Sequence, residues 1–342
     1  MSSLQNSLPW TKSPLVINAP MGGFATAELA IAVSRSGGLG QIGSDGSMKN
    51  LEVELSKVEK ALDRTEKGLL PIGVGLLSFV TERESALQIV EKYKPAVVWL
   101  FAAHKLSDYA EWAKEVRKVT SHSQIWVQIG SVAGALEIAK DTRPDVICVQ
   151  GIDAGGHGWE KGAGIISLLP EVSDALAGTD IALVAAGGIA EGRSAAAAFT
   201  LGAQGVVLGT RFIAASETKI NPHYRAAILA AQDGGQTTVR AKVFDELRGE
   251  NIWPNAYDGR SIRTESFQDH SEGVPIDEIR RRYADAAKTD SAGYAPGIGQ
   301  GRAATWAGTG VGLVHSEQPA EAIVEEIRTG IVAALEAVKA RL

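Results

Sequence analysis

His157 is the residue whose type and surroundings most suggest chemistry. It stands in Gly151-Ile152-Asp153-Ala154-Gly155-Gly156-His157-Gly158, a glycine-rich loop rather than a packed helix face. An imidazole there titrates near working pH and can serve as general acid, general base or anion holder. The plainer alternative is a solvent-facing histidine with no task. His104, in Phe101-Ala102-Ala103-His104, is a second candidate. The other histidines (His122, His223, His270, His315) lack such a context. No H-x-x-x-H or His-carboxylate spacing demands a metal. The single cysteine, Cys148, excludes a disulfide framework and a cysteine zinc site. Without a Gly-x-Ser-x-Gly elbow, serine-hydrolase chemistry is not expected.

The second chemical signal is where glycine falls. There are 38 glycines in 342 residues, against a usual share of roughly 7 %. Many follow short apolar runs: Ala19-Pro20-Met21-Gly22-Gly23, the His157 stretch, Ala186-Gly187-Gly188 and Gly209-Thr210-Arg211. Glycine at a strand end lets backbone N–H groups approach phosphate oxygens, and a following helix N-terminus favours the anion. Gly187-Gly188 and Gly209-Thr210 therefore form a candidate phosphate site. The structural alternative is simply tight strand-to-helix turns. A formal G-x-G-x-x-G at Gly38, Gly40 and Gly43 follows a helical pattern instead of opening one, so it fails as a dinucleotide fingerprint. Gly308-Thr309-Gly310-Val311-Gly312 precedes the last helix and, by position, is expected to return towards the same place. Trp159 is a candidate pocket wall, whereas Trp99 and Trp126 read as strand packing.

The elements that must position these residues come from periodicity. Eight apolar runs (15–18, 39–42, 72–76, 96–100, 125–129, 146–150, 181–185, 205–208) do not alternate with polar residues, as in strands buried on both faces of a parallel sheet. Amphipathic segments lie between them: 26–36, 51–62, 82–93, 108–120, 134–141, 168–177 and 193–201. The alternation predicts an α/β fold, a (β/α)8 TIM barrel, with a doubly wound sheet as runner-up. Strand ends then share one face, where active sites of this fold are built. Residues 217–302 break the rhythm with prolines and a charged run, and predict a mostly helical insertion or lid after strand eight. The barrel would comprise 14–216 and 303–342, closed by a helix over 319–342.

Composition excludes several classes. The net charge of −6 argues against nucleic acid as a partner. No run of 18 apolar residues predicts a membrane span. Residues 1–12 read as a polar segment without a secretory leader. These features lead us to expect a cytoplasmic protein. The terminal Ala340-Arg341-Leu342 is similar to a Ser-Lys-Leu peroxisomal address, relevant only in a eukaryote. Its plainer reading, which we favour, is the basic last turn of a helix. The oligomeric state stays open, a homodimer included.

Taken together, several stretches resemble the nitronate monooxygenase family, once called 2-nitropropane dioxygenases. They are Ala19–Gly23, Ala32–Gly40, Asp153–Gly158, Ala186–Arg193, Leu201–Ala203 and Leu208–Phe212. The resemblance implies an FMN-dependent barrel enzyme. Pro20, Met21 and Gly22 would line the flavin ring, and Gln128 would reach the ring or ribityl chain. Asp153, Ala154, Gly155 and Gly156 belong to the cofactor-contacting central motif. Gly187, Gly188, Gly209 and Thr210 would hold the phosphate. The catalytic histidine falls on His157. Two positions depart from relatives: Gly75, where many carry Asn, and Gln128, where some carry Lys. The implied activity is oxidation of an alkyl nitronate by O2 to a carbonyl compound and nitrite. His157 would act either as a base on a neutral nitroalkane or, protonated, as holder of the anion. The rival activity is an NAD(P)H-dependent flavin reductase of quinones or enoyl thioesters. Two further readings are a flavin holder with a relict site and a flavin-free barrel acting on a phosphorylated substrate.

Overall fold

In the computed structural model, which describes residues 3–342, the apolar runs become strands in chain order. They are β1 (Leu15–Asn18), β2 (Gln41–Gly43), β3 (Leu70–Leu77), β4 (Pro95–Phe101), β5 (Gln124–Ile129) and β6 (Val146–Gln150). After them come β7 (Gly156–Trp159), β8 (Ala182–Ala186), β9 (Gly205–Leu208), β10 (Thr238–Ala241), β11 (Tyr257–Ile262) and β12 (Thr305–Trp306). Eight of these form one parallel sheet in the order β1-β9-β8-β6-β5-β4-β3-β2. Parallel bridges Ile17–Leu39 and Gly22–Gly43 join the first strand to the second, so the sheet curls into a barrel. The doubly wound alternative is set aside by this contact between the two end strands.

The barrel explains why its strands do not alternate in polarity. Val16, Ile42, Val74, Val98, Val127 and Ile147 face outward and pack under the helices. Ile17, Val97, Trp99, Trp126, Cys148 and Val184 face inward and fill the barrel. Both faces are buried, so both must be apolar. Helices Ala27–Arg35, Met48–Ala61, Arg83–Tyr93, Asp108–Val119, Val132–Asp141, Ile165–Ala175 and Gly192–Thr200 form the outer ring. The last helix, Ala320–Lys339, packs beside Ala27–Arg35 and Gly192–Thr200. It is pinned by Arg328, whose guanidinium donates to the carbonyls of Lys12, Pro14, Ser36 and Gly37. No described helix is long and apolar enough to cross a membrane. Ala340-Arg341-Leu342 follow the last helix and are exposed.

Two expectations need correction. The polar reading of residues 1–12 overlooked a plug. (Met1 and Ser2 lie outside the described residues.) Helix Ser3–Ser7 and the turn after it send Leu4 and Leu8 into the barrel-interior cluster, beside Leu15, Leu69 and Ala96. Two leucines in a short polar stretch carry too little periodicity to be read as core. The second correction concerns the His157 stretch. Residues 217–302 hold more helix than strand, and an antiparallel sheet of β7, β10, β11 and β12 joins them to the barrel. The His157 stretch, read as a loop, is partly a strand of that sheet. In its register Gly156 faces Arg260, His157 faces Gly259 and Trp159 faces Tyr257. Strand formation here is imposed by the partner, because Gly-His-Gly-Trp has little β propensity of its own.

Leu8 is 0 % exposed. Leu8→Ala should lower unfolding stability by about 2–5 kcal/mol, the usual cost of truncating a core leucine. A shift of the urea midpoint corresponding to less than about 0.5 kcal/mol would instead mark the segment as a surface tail.

Candidate functional site

The C-terminal ends of the barrel strands surround a cavity of about 350 Å³. Barrel geometry puts it there, because parallel strands place all their C-terminal ends on one face. Of the residues expected at the site, Pro20, Met21, Gly22, Gln128, Ala154, Gly155, Gly156, His157, Gly187, Gly188, Gly209 and Thr210 all line it. Asp153 does not. It turns aside to hold the strap Thr309–Leu313: its backbone carbonyl accepts from Thr309 N at 2.9 Å, and its Oδ1 accepts from Thr309 Oγ1 at 3.2 Å. That strap brings Gly308 and Gly310 to the cavity wall, as their position suggested. His104 is exposed and meets the edge of Phe79. Trp159 packs on Tyr257 and against Gly130, away from the cavity.

One corner of the cavity suits an anion. Gly187 and Gly188 have φ of 103° and 74°, a conformation that only glycine adopts without strain. Among the described residues, the backbone N–H groups of Gly188 and Thr210 have no hydrogen-bond partner. Donors left free at a cavity wall are what a phosphate requires. The Thr210 hydroxyl accepts from Gly308 N at 3.0 Å, tying the strap to this corner. Elsewhere the wall is largely apolar: Leu76, Leu77, Phe101, Ile213, Trp253 and Trp306 contribute. Gly75 lines it too, and Pro20 occupies the space its side chain would need. This chain thus puts proline carbon at that place on the wall.

Gln128 is oriented from below. The Trp99 indole Nε1 donates to Gln128 Oε1 at 3.1 Å. An indole nitrogen can only donate, so this bond decides which end of the amide is oxygen. The Gln128 Nε2 donor is left over for the cavity. Trp99, expected only to pack, therefore also sets a polar group.

His157 and Asp45 are the ionisable side chains on the wall. The His157 ring is stacked face to face on Trp253, with centroids 3.6 Å apart and planes 8° from parallel. Trp306 closes in at 4.8 Å, tilted by 51°. His157 Nε2 lies 2.6 Å from Asp245 Oδ1 across 88 residues of sequence. The main-chain carbonyl of His157 accepts from Gln150 Nε2 at 3.1 Å. Sequence reasoning missed Asp245, Trp253 and Trp306. All three come from the aperiodic stretch or just after it, where nothing local marks which side chains turn inward.

The family model for nitronate monooxygenase matches residues 7–330. The chain belongs to the nitronate monooxygenase family. Nitronate monooxygenases are flavin-dependent oxidoreductases, and the glycine-lined cavity is compatible with such a group. A nitronate monooxygenase of Metarhizium robertsii is 42 % identical over 99 % of this chain and 97 % of its own length. Another from Neurospora crassa is 39 % identical over 96 % and 92 %. Among solved structures, FabK from Thermotoga maritima superposes with a TM-score of 0.79 at 23 % identity, covering 100 % of this chain and 99 % of that one. Nitroalkane oxidase from Streptomyces ansochromogenes gives 0.73 at 22 % identity, covering 95 % and 98 %. At those identities the two structures attest the barrel fold alone.

Below the cavity, Cys148 of β6 lies beside Gln128 in the strand register. It is fully buried, and burial pushes its thiol well above the usual range. A thiol reagent such as Ellman's should find no reactive cysteine in the native nitronate monooxygenase fold and one per chain after unfolding. Rapid labelling of native protein would mean that the cavity floor is open.

Proposed function

We propose that this chain oxidises alkyl nitronates with O2 to a carbonyl compound and nitrite, using FMN. The observation that carries the reading is His157, held against an apolar wall at the mouth of a cavity whose opposite requirement, an anion corner, is built from glycine backbone. Membership of the nitronate monooxygenase family supports the reaction class. The free N–H groups of Gly188 and Thr210, with Gly187 and Gly209 beside them, support one phosphate and hence FMN. Pro20, Met21 and Gly22 would flank the ring, and Gln128 Nε2 would donate to it or to the ribityl chain. Ala154, Gly155 and Gly156 would line its other side, with Asp153 acting through the Thr309 strap instead of by contact.

When bound, the flavin supplies the electron-accepting chemistry that the protein's side chains lack. The chain's own part is to bind, orient and manage charge. The apolar wall takes the alkyl portion of the substrate and excludes water. His157 meets the nitro group or the carbon beside it, as a base or as a positive donor. Residues 217–302 serve as the lid, since they supply Asp245 and Trp253 to the histidine. The substrate is a small organic molecule.

The test is anaerobic mixing of purified protein with a nitronate and, separately, with NADH. The flavin should be bleached by the nitronate and not by NADH, and flavin released on denaturation should chromatograph as FMN. Bleaching by NADH alone would sink the oxidase reading and favour the flavin reductase. His157→Ala should lower kcat/KM for the nitronate by roughly 10²-fold or more, the usual scale for losing one positioned donor to an anion. Unchanged turnover would remove His157 from the reaction.

A further inference from the structure

We propose that Asp245 is a positioning residue for His157: it holds the proton on Nε2, so that Nδ1 is the nitrogen that meets substrate. This rests on the reading of His157 given above, but its first measurement does not depend on activity. A carboxylate can only accept, so the 2.6 Å contact between Asp245 Oδ1 and His157 Nε2 requires hydrogen on Nε2. Among the described residues Nδ1 has no hydrogen-bond partner, and the His157 side chain lines the cavity. Any proton that comes or goes on this ring does so at Nδ1.

The surroundings of Asp245 argue that the contact is more than packing. Its side chain is only 7 % exposed. Its second oxygen, Oδ2, is buried with no partner, so the imidazole is the one side-chain hydrogen bond it makes among the described residues. A carboxylate buried with half its capacity unused is costly. A purely structural aspartate would be expected to use both oxygens. Here the cost is met at one contact only, with the ring that faces the cavity.

The stack on Trp253 adds a second restraint. Tilting the imidazole out of its plane would break the 3.6 Å stack, and a half-turn within that plane would carry Nε2 away from Asp245. Both partners belong to the insertion, while His157 belongs to the barrel side of the sheet. Most of the other charged groups on the adjoining elements have partners elsewhere. Arg240 and Asp258, on the adjoining strands, pair with each other. Arg260, on β11, donates to the carbonyl of Ile152. Lys242, beside the helix that carries Asp245, bonds to Glu160 and the carbonyl of Asn255. Glu246 follows Asp245 on that helix, and Asp45 lines the same cavity. Asp245 alone among them bonds to the ring.

As a base, Nδ1 would take the proton from the carbon bearing the nitro group. The C–H electron pair would pass to the nitronate, leaving an imidazolium opposite the new anion. As an anion holder, the protonated Nδ1 would donate to the nitro oxygen. Either role needs Nδ1 free and Nε2 occupied.

The experiment is ¹⁵N NMR of histidine-labelled flavin-loaded protein, with His157→Gln identifying the His157 signals. Wild type should show the neutral ring protonated at Nε2 with an unprotonated Nδ1. The reverse tautomer in wild type would overturn the proposal, whatever the activity. Asp245→Asn should mix the tautomers or move the proton to Nδ1. It should lower kcat on the nitronate roughly 10²- to 10³-fold, the range for loss of one positioned donor to an anion, with flavin content and Tm kept. Asp245→Glu should recover part of the Nε2–H population and part of kcat. An Asp245→Asn protein with an unchanged tautomer and kcat within about threefold of wild type would also overturn it. Should Asp245→Asn fail to fold, the wild-type spectrum and Asp245→Glu decide the matter. If the tautomer is as proposed but His157→Ala leaves turnover intact, the functional reading falls and the Asp245 contact stands.

Discussion

The site depends on one short antiparallel pairing, four residues of the barrel's sixth loop against four of the insertion. Gly156 to Trp159 run beside Tyr257 to Arg260. Without that ladder a stretch of Gly-His-Gly-Trp would be an open loop after β6, and the imidazole would have many orientations. With it, His157 has a fixed backbone, and the insertion is brought close enough to supply Asp245 and Trp253. Gly259 faces His157 in the register, and the Trp306 ring fills the place that a side chain there would need. Backbone pairing is thus what turns a flexible glycine run into a support for the His157 ring.

A second constraint is close approach of backbone. Around the cavity, main chain from different strand ends nearly touches. A side chain on Gly155 would collide with Ala307 and Gly308, and one on Gly188 would press on Asp153 at 3.2 Å. The strap Thr309–Leu313 is drawn in by Asp153 and Thr210. These contacts make a compact wall that presents N–H groups inward. Such a wall is suited to an anion, whereas the aromatic side is suited to an uncharged body. The two sides together fit a flavin beside a small organic substrate.

The barrel was legible from the sequence because its signal is local and repeated. Each buried parallel strand must be apolar on both faces, and each outer helix must be amphipathic, so the pattern recurs along the chain. The strand-end glycines were legible for a related reason: a residue without a side chain is visible as a letter wherever backbone must come close. Hence Pro20, Met21, Gly22, Gly187, Gly188, Gly209 and Thr210 could be placed at one face before any coordinates. The plug was not legible, since Leu4 and Leu8 are only two apolar residues in a polar stretch. Trp99 illustrates the same limit from the other side. Its burial could be read, but its bond to Gln128 depends on a neighbouring strand.

By itself, the sequence determined the barrel, the face on which the cavity lies and the histidine that stands there. These follow from residue type and from periods of a few residues, which chemistry and backbone geometry impose locally. Only the tertiary structure decided what His157 touches. Asp245 is 88 positions away, and Trp253 and Trp306 lie in or just beyond a region with no periodic pattern. Their approach is set by the pairing of β7 with β11. A hydrogen bond reads distance and direction in space, and no local spacing in the chain encodes either across so long a separation.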